Sequence, residues 1–176
     1  MALIDQAVIL GAPVVAGPVY SAVGRIGGAE PDEYKKQWAT VVKNLKPICK
    51  YAQKKGIAIC VEPLNRFETD FINTVDQVLK LVKDVGSPAL KVHLDTFHMN
   101  IEEPVIEESI RNCGDRIFHF HVADSNRWYP GAGHLNFPGI LKELAATGYN
   151  VFVSGEFMPR PDAITAAKKS IENLLP

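Results

Sequence analysis

Five apolar runs separated by helix-like stretches constrain the fold of this 176-residue chain more than any other feature. They lie at 13–20 (PVVAGPVY), 57–62, 90–95, 116–123 and 150–156. Each is nearly continuous in hydrophobicity, as parallel strands buried on both faces are. The stretches between them carry apolar residues at helical spacing. Residues 31–54 place Tyr34, Trp38, Val41, Val42, Leu45, Ile48, Cys49 and Ala52 on one face. Pro47 inside this run is expected to kink or split the helix. A helix over 74–85 takes Asn73 and Thr74 as cap candidates and stops at Gly86. Another over 104–113 holds Pro104 in its first turn and stops at Gly114. A third, over 137–147, stops at Gly148, and a final helix covers 162–175. Residues 3–10 read as the tail of a helix. Five strands, each followed by a helix, predict an α/β fold with right-handed crossovers, either an open doubly wound sheet or a barrel. No GxGxxG follows the first strand, which leaves a dinucleotide fold without direct support. No linker or low-complexity segment interrupts the alternation, so residues 1–176 are expected to form a single domain.

Four polar residues fall at matching points of the last four runs. Glu62 ends IAICVE, Asp95 ends LKVHLD, His121 lies near the end of IFHFHVAD, and Glu156 ends VFVSGE. The spacings are 33, 26 and 35 residues, about one βα unit each. In parallel strands all four side chains emerge at the same end of the sheet. Two Glu, one Asp and one His make an oxygen-rich set with one nitrogen, suited to a hard or borderline divalent cation. Functional groups at the ends of several strands favour a (β/α) barrel, although eight units need about 250 residues. Because side chains alternate along a strand, Cys60, His93, His119 and Ser154 share faces with the four ligand candidates and could orient them. His93 and His119 read as satisfied core histidines, and Phe118 and Phe120 point toward the helices.

Composition excludes several classes. Net charge is −1 with no long basic stripe, which argues against nucleic acid as a partner. Apolar runs such as AVILGAPVVAG are too short to span a bilayer, and the N-terminus lacks the basic start of a signal peptide. Cys49, Cys60 and Cys113 form no CxxC pair and read as buried thiols of a reducing compartment. The expectation is a cytoplasmic protein.

The segments NRFETDFINT (65–74), HLDTFHMNIEE (93–103), HFHVADSNRWYPGAGHLNF (119–137) and SGEFMPRPD (154–162) resemble the sugar isomerase/epimerase family of xylose-isomerase-like TIM barrels. Within it they are most similar to the ketose 3-epimerases of the D-tagatose/D-psicose group. The resemblance implies a TIM barrel and a metal-dependent enzyme acting on a small ketose. It implies that Glu62, Asp95, His121 and Glu156 are metal ligands, usually of Mn²⁺, with Mg²⁺ or Co²⁺ as substitutes. Glu62 and Glu156 then double as the acid/base pair. Glu68, His98 and Arg127 match substrate-contacting residues. Epimerising the carbon beside a ketone removes a proton from one face and returns it on the other, which two carboxylates can do through an enediolate.

The resemblance also implies that three further βα units precede PVVAGPVY in the family barrel. The chain is then expected to be incomplete, holding about the five C-terminal units of eight. That leaves two edge strands, 13–20 and 150–156, open to association. A homo-oligomer, in its simplest form a twofold dimer, is expected to cover the open side or the edge at 13–20. Two alternatives stand beside the epimerase. One is an inactive barrel fragment that only binds metal or self-associates. The other is a hydrolase of the metal-dependent apurinic endonuclease type. The hydrolase ranks lower because it needs a multi-zinc cluster rich in His, and the chain has five His in all.

Overall fold

The computed structural model describes residues 1–175. Contacts divide them into two compact units, residues 1–93 and residues from 94 onward. The division falls inside the central strand of the fold.

The first unit runs α1 (Ala2–Leu10), β1 (Val14–Gly17), α2 (Pro31–Lys55), β2 (Ala58–Val61), α3 (Val75–Val85) and the start of β3 (Leu90–Asp95). β1 pairs with β2 in parallel, from Val14 opposite Ala58 to Gly17 opposite Val61. β2 pairs with β3 in parallel, from Ile59 opposite Leu90 to Val61 opposite Val92. Ile59, Val61, Leu90 and Val92 are buried, with Leu45, Cys49 and Ala52 of α2 and Val78, Leu81 and Val82 of α3. The spacing of those helical residues is the amphipathic stripe of a helix lying on a sheet. Each buried Leu or Val stabilises the unit by about 1.5–3 kcal/mol relative to exposure.

Local signals set the helix ends. α3 opens on a capping box, in which Thr74 accepts from the Gln77 N–H and Gln77 Oε1 accepts from the Thr74 N–H. α2 begins with Pro31 and carries Asp32 and Glu33 in its first turn and Lys54 and Lys55 in its last, matching the helix dipole. The helix is continuous through Pro47, so the expected split does not occur. Proline removes the bond to the carbonyl four residues back. Complete turns on either side, and burial of Leu45 and Cys49 next to it, hold the helix together.

The second unit contains the end of β3, α4 (Thr96–Glu102), α5 (Ile106–Cys113), a short 3₁₀ turn (Gly114–Arg116), β4 (Ile117–Val122), α6 (Phe137–Ala146), β5 (Val153–Gly155) and α7 (Ala163–Leu174). β4 pairs with β5 in parallel: Phe120 faces Val153, His121 faces Ser154 and Val122 faces Gly155. Thr96 ties the end of β3 to the end of β4, its hydroxyl donating to Ala123 O (2.7 Å) and accepting from Ala123 N (2.9 Å). Leu94, Ile106, Ile110, Phe120, Val122, Ile140 and Leu144 are buried in this unit.

Residues 96–113 differ from the single expected helix over 104–113. Asp95 caps α4 by accepting from Phe97 N at 2.8 Å, so a helix starts directly where β3 ends. Pro104 then forces the residue before it out of the helical region, and Glu103 is extended at φ −95°, ψ 133°. The chain re-enters a helix only at Ile106. β1 and β5 are also shorter than expected, at four and three residues. Among the described residues no helix is long and apolar enough to cross a membrane.

Candidate metal centre and substrate site

Parallel pairing and side-chain alternation bring three of the four predicted ligands together in the second unit. Asp95 is the last residue of β3, His121 lies in β4, and Glu156 directly follows β5. Each offers one ligand atom, and these atoms lie within 4.8 Å of one another. Glu156 Oε2 is 3.5 Å from His121 Nδ1 and accepts from Arg127 Nη2 at 3.0 Å. Asp95 is only 1% exposed. Its Oδ1 accepts the cap hydrogen from Phe97 N, and among the described residues no donor reaches its buried Oδ2. Glu156 close by is another carboxylate, and two carboxylates can bond only when one carries a proton.

The charges respond accordingly. Burial, reinforced by the neighbouring Glu156, pushes the Asp95 carboxyl up from 3.8 to about 7, against the opposing pull of the Phe97 N–H and Arg127. The His121 imidazole, with Asp95 and Arg127, holds Glu156 down at about 2 despite partial burial. A proton on the pair below neutral pH is therefore favoured on the Asp95 side. A divalent cation would take its place: two carboxylates and an imidazole converge on one point, and one buried oxygen has no donor among the described residues. These residues fit such an ion.

Arg127 is fixed with unusual care. It is the non-glycine residue among those described with positive φ, at 58°. That conformation costs on the order of 1–3 kcal/mol and persists only where the surroundings impose it. Arg127 N donates to Asp124 O (2.8 Å), its carbonyl accepts from Met158 N (2.7 Å), and its guanidinium sits 4.6 Å from the centre of the Phe97 ring. Asp124 is the anchor of this loop and is fully buried. Its carboxylate accepts from the backbone N–H of Ser125 (2.7 Å), Gly131 (2.8 Å) and Leu135 (3.2 Å). Burial raises the Asp124 carboxyl, but the N–H groups of Gly133, Ser125, Leu135 and Gly131 outweigh it and hold the group below its usual value. Gly133 is required here, because a Cβ would lie 2.2 Å from Asp124 Oδ1. Sequence reasoning missed Asp124, yet the signal was present: it too is a carboxylate at a strand end, followed by a Gly-x-Gly loop. His98, expected at the substrate, is buried in α4 next to Phe97.

The remaining predicted residues belong to the first unit. Glu62 directly follows β2, is buried, and its Oε2 lies 3.4 Å from His93 Nδ1. Tyr20 donates to the Glu62 carbonyl at 2.8 Å. Glu68 accepts from Asn65 Nδ2 at 2.9 Å in the loop after β2, and its carbonyl accepts from Gly24 N at 2.7 Å. His93 is a buried histidine, as expected. Cys60 is fully buried, and burial pushes its thiol up to about 12. His119 departs from expectation: it is partly exposed, and its Nε2 lies 2.9 Å from His121 Nε2. It is a neighbour of the ligand rather than a core residue.

The proton held by Asp95 predicts a pH signature. A carboxyl raised from 3.8 to about 7 stabilises the fold fully below its unfolded value and loses that contribution as pH rises through 7. Glu156, lowered from 4.5 to about 2, acts oppositely but only as pH falls below 4.5. Between about pH 5 and 7 the metal-free chain should therefore lose stability relative to Asp95→Asn in urea unfolding as pH rises, since the lowered His119 acts oppositely in both proteins. Mn²⁺ should reverse that difference by replacing the proton. A metal-free difference of opposite sign would contradict the shared-proton account.

A xylose isomerase-like TIM barrel family model matches residues 1–175. D-psicose 3-epimerase of Ruminiclostridium cellulolyticum is 38% identical over 137 residues, which cover 78% of this chain and 46% of that protein. L-ribulose 3-epimerase of Mesorhizobium japonicum is 37% identical over 113 residues, covering 64% of this chain and 38% of that protein. The crystal structure of D-psicose 3-epimerase with D-tagatose from Clostridium cellulolyticum H10 superposes with a TM-score of 0.88 at 31% identity, covering 98% of this chain and 68% of that one. The chain thus spans about half the length of the curated relatives it matches. Five strands alternating with helices in parallel pairs, the three strand-end ligand candidates and the family match agree: the chain belongs to the xylose isomerase-like TIM barrel family.

Proposed function

We propose that this chain carries the metal-binding and proton-transfer half of a ketose 3-epimerase. The observation that supports it best is the meeting of Asp95 and Glu156 beside His121 and Arg127, in a chain similar to D-psicose and L-ribulose 3-epimerases. Glu62, buried directly after β2, is the further ligand that the family resemblance implies. A divalent cation, Mn²⁺ with Mg²⁺ or Co²⁺ as substitutes, supplies Lewis-acid polarisation of the substrate carbonyl when bound.

The chain's own residues do the rest. Glu156 and Glu62 act as the two carboxylates that remove a proton from one face of the carbon beside the ketone and return it on the other. Glu156 is ionised at neutral pH and so is ready to accept a proton. Arg127 now binds Glu156. When its guanidinium turns to a substrate oxygen, its hold weakens and the basicity of Glu156 rises toward the range a general base needs. Phe97 beneath the guanidinium and the left-handed backbone of Arg127 restrict where that fork can point. His98 and Glu68 contact substrate hydroxyls. The buried thiols Cys49, Cys60 and Cys113 suit a cytoplasmic setting.

Glu156→Gln keeps the shape and removes the base. With D-fructose, D-tagatose, D-psicose and L-ribulose as substrates, it should lower epimerisation at least about 100-fold with an unchanged circular dichroism spectrum. Near-native turnover would remove Glu156 from the proton-transfer role. A wild-type chain that binds Mn²⁺ but turns over none of the four would favour the second reading, a metal-binding fragment, which the half-length match to the relatives supports.

We also propose that the chain self-associates. Phe152 is 73% exposed beside β5 and Ile164 82% exposed on α7, while Ile9 and Leu10 of α1 exceed 80%. These exposed apolar side chains, with the short edge strands β1 and β5, are the surfaces a second copy would cover. Light scattering at tens of micromolar should find a dimer or larger assembly, and a stable monomer would overturn this.

A further inference from the structure

Two ring nitrogens that face each other across a hydrogen-bond distance cannot both carry hydrogen. His119 Nε2 and His121 Nε2 are 2.9 Å apart, so one donates and the other accepts. The residues lie two apart on the same face of β4, with ring centroids 4.7 Å apart and planes at 72°. The other nitrogen of His121, Nδ1, faces Glu156 Oε2 at 3.5 Å. The owner of the bridging hydrogen therefore decides what His121 shows to the carboxylates. If His119 donates, a neutral His121 carries its hydrogen on Nδ1, on the side where Glu156 Oε2 lies. If His121 donates, its Nδ1 presents a lone pair.

We propose that His119 and His121 form a tautomeric switch that is thrown when a cation binds at Asp95, His121 and Glu156. The inference rests on reading those three residues as cation ligands. Without the cation, His119 Nε2–H donates to His121 Nε2, and His121 Nδ1–H points to the Glu156 carboxylate. With it, His121 Nδ1 must offer a lone pair. The bridging hydrogen stays between the two Nε2 atoms and changes owner, from His119 to His121. The hydrogen leaves the buried His121 Nδ1 by way of the neighbouring Glu156 carboxylate, which is half exposed and passes it to water, and water supplies one to His119 Nδ1, which is partly exposed. Both rings stay neutral, and the pair as a whole gains and loses no proton.

His119 is then a positioning residue. Metal-ligating histidines nearly always donate their other ring N–H to a fixed acceptor. Carboxylates and carbonyls, usual acceptors in that role, can only accept. An imidazole can do either, so the same contact satisfies His121 with and without the cation.

The test is long-range ¹H–¹⁵N NMR of the histidine-labelled 176-residue chain, before and after Zn²⁺, a diamagnetic probe. The metal-free spectrum should show hydrogen on His121 Nδ1 and on His119 Nε2. Zn²⁺ should bind at His121 Nδ1, place hydrogen on His121 Nε2 and move it from Nε2 to Nδ1 on His119. His119→Phe should weaken Zn²⁺ binding about 10–100-fold, and His119→Gln, whose carbonyl accepts from His121 Nε2–H, should recover most of the loss. If Zn²⁺ binds at His121 Nδ1 while His119 keeps its hydrogen on Nε2, or His119→Phe binds as tightly as the wild type, the switch is overturned and the cation site stands. If Zn²⁺ sits on the Nε2 atoms of both rings, they are direct chelators and the switch is wrong. If Zn²⁺ moves no resonance of His121, the cation site and the switch fall together.

Discussion

The buried encounter of Asp95 with Glu156 is the interaction on which the site depends. Two carboxylates at this separation cannot both be ionised without a positive partner. The fold supplies Arg127 on the Glu156 side and, among the described residues, leaves Asp95 Oδ2 without a donor. A proton can balance the charge, as burial of Asp95 encourages, and so can a cation. The arrangement costs stability in the metal-free chain and stores the charge that makes a cation welcome.

That encounter is a product of ordinary strand geometry. Parallel pairing sends the end of every strand to one side, and the period of two puts alternate side chains on one face. β4 and β5 stand in register, His121 opposite Ser154, so Glu156 arrives one pleat beyond. Asp95 arrives at the end of β3, where Thr96 locks that strand to Ala123. Arg127 does not come from a strand. It is held by a loop folded around the buried Asp124 carboxylate, in a backbone conformation that few residues tolerate. The ligand candidates are placed by the sheet, and Arg127 by an over-determined loop.

Much of this was legible in the residues. The apolar runs placed all five strands, LKVHLD to the residue, and Thr74, Gly86 and Gly114 marked helix ends because caps obey local rules. The strand-end pattern found Asp95, His121 and Glu156 without knowledge of their contacts. Other features were not legible. α4 carries its cap on Asp95, a residue read only as a ligand, so the helix that follows was hidden by its own first signal. Pro47 reads as a breaker, yet buried neighbours override one lost hydrogen bond. His119 was read as core because alternation gives a face but not a depth, and partial exposure near a strand end depends on what covers that face. Asp124 was invisible as an anchor because its partners are backbone N–H groups up to eleven residues away, a pattern that side-chain identities do not record.

The most direct measurement of the central claim is anomalous diffraction from crystals of the chain grown with Mn²⁺. The account predicts one strong peak with Asp95, His121 and Glu156, joined by Glu62, at ligand distances of about 2.0–2.6 Å. A peak elsewhere, or Asp95 and Glu156 still sharing a proton in saturating Mn²⁺, would contradict it.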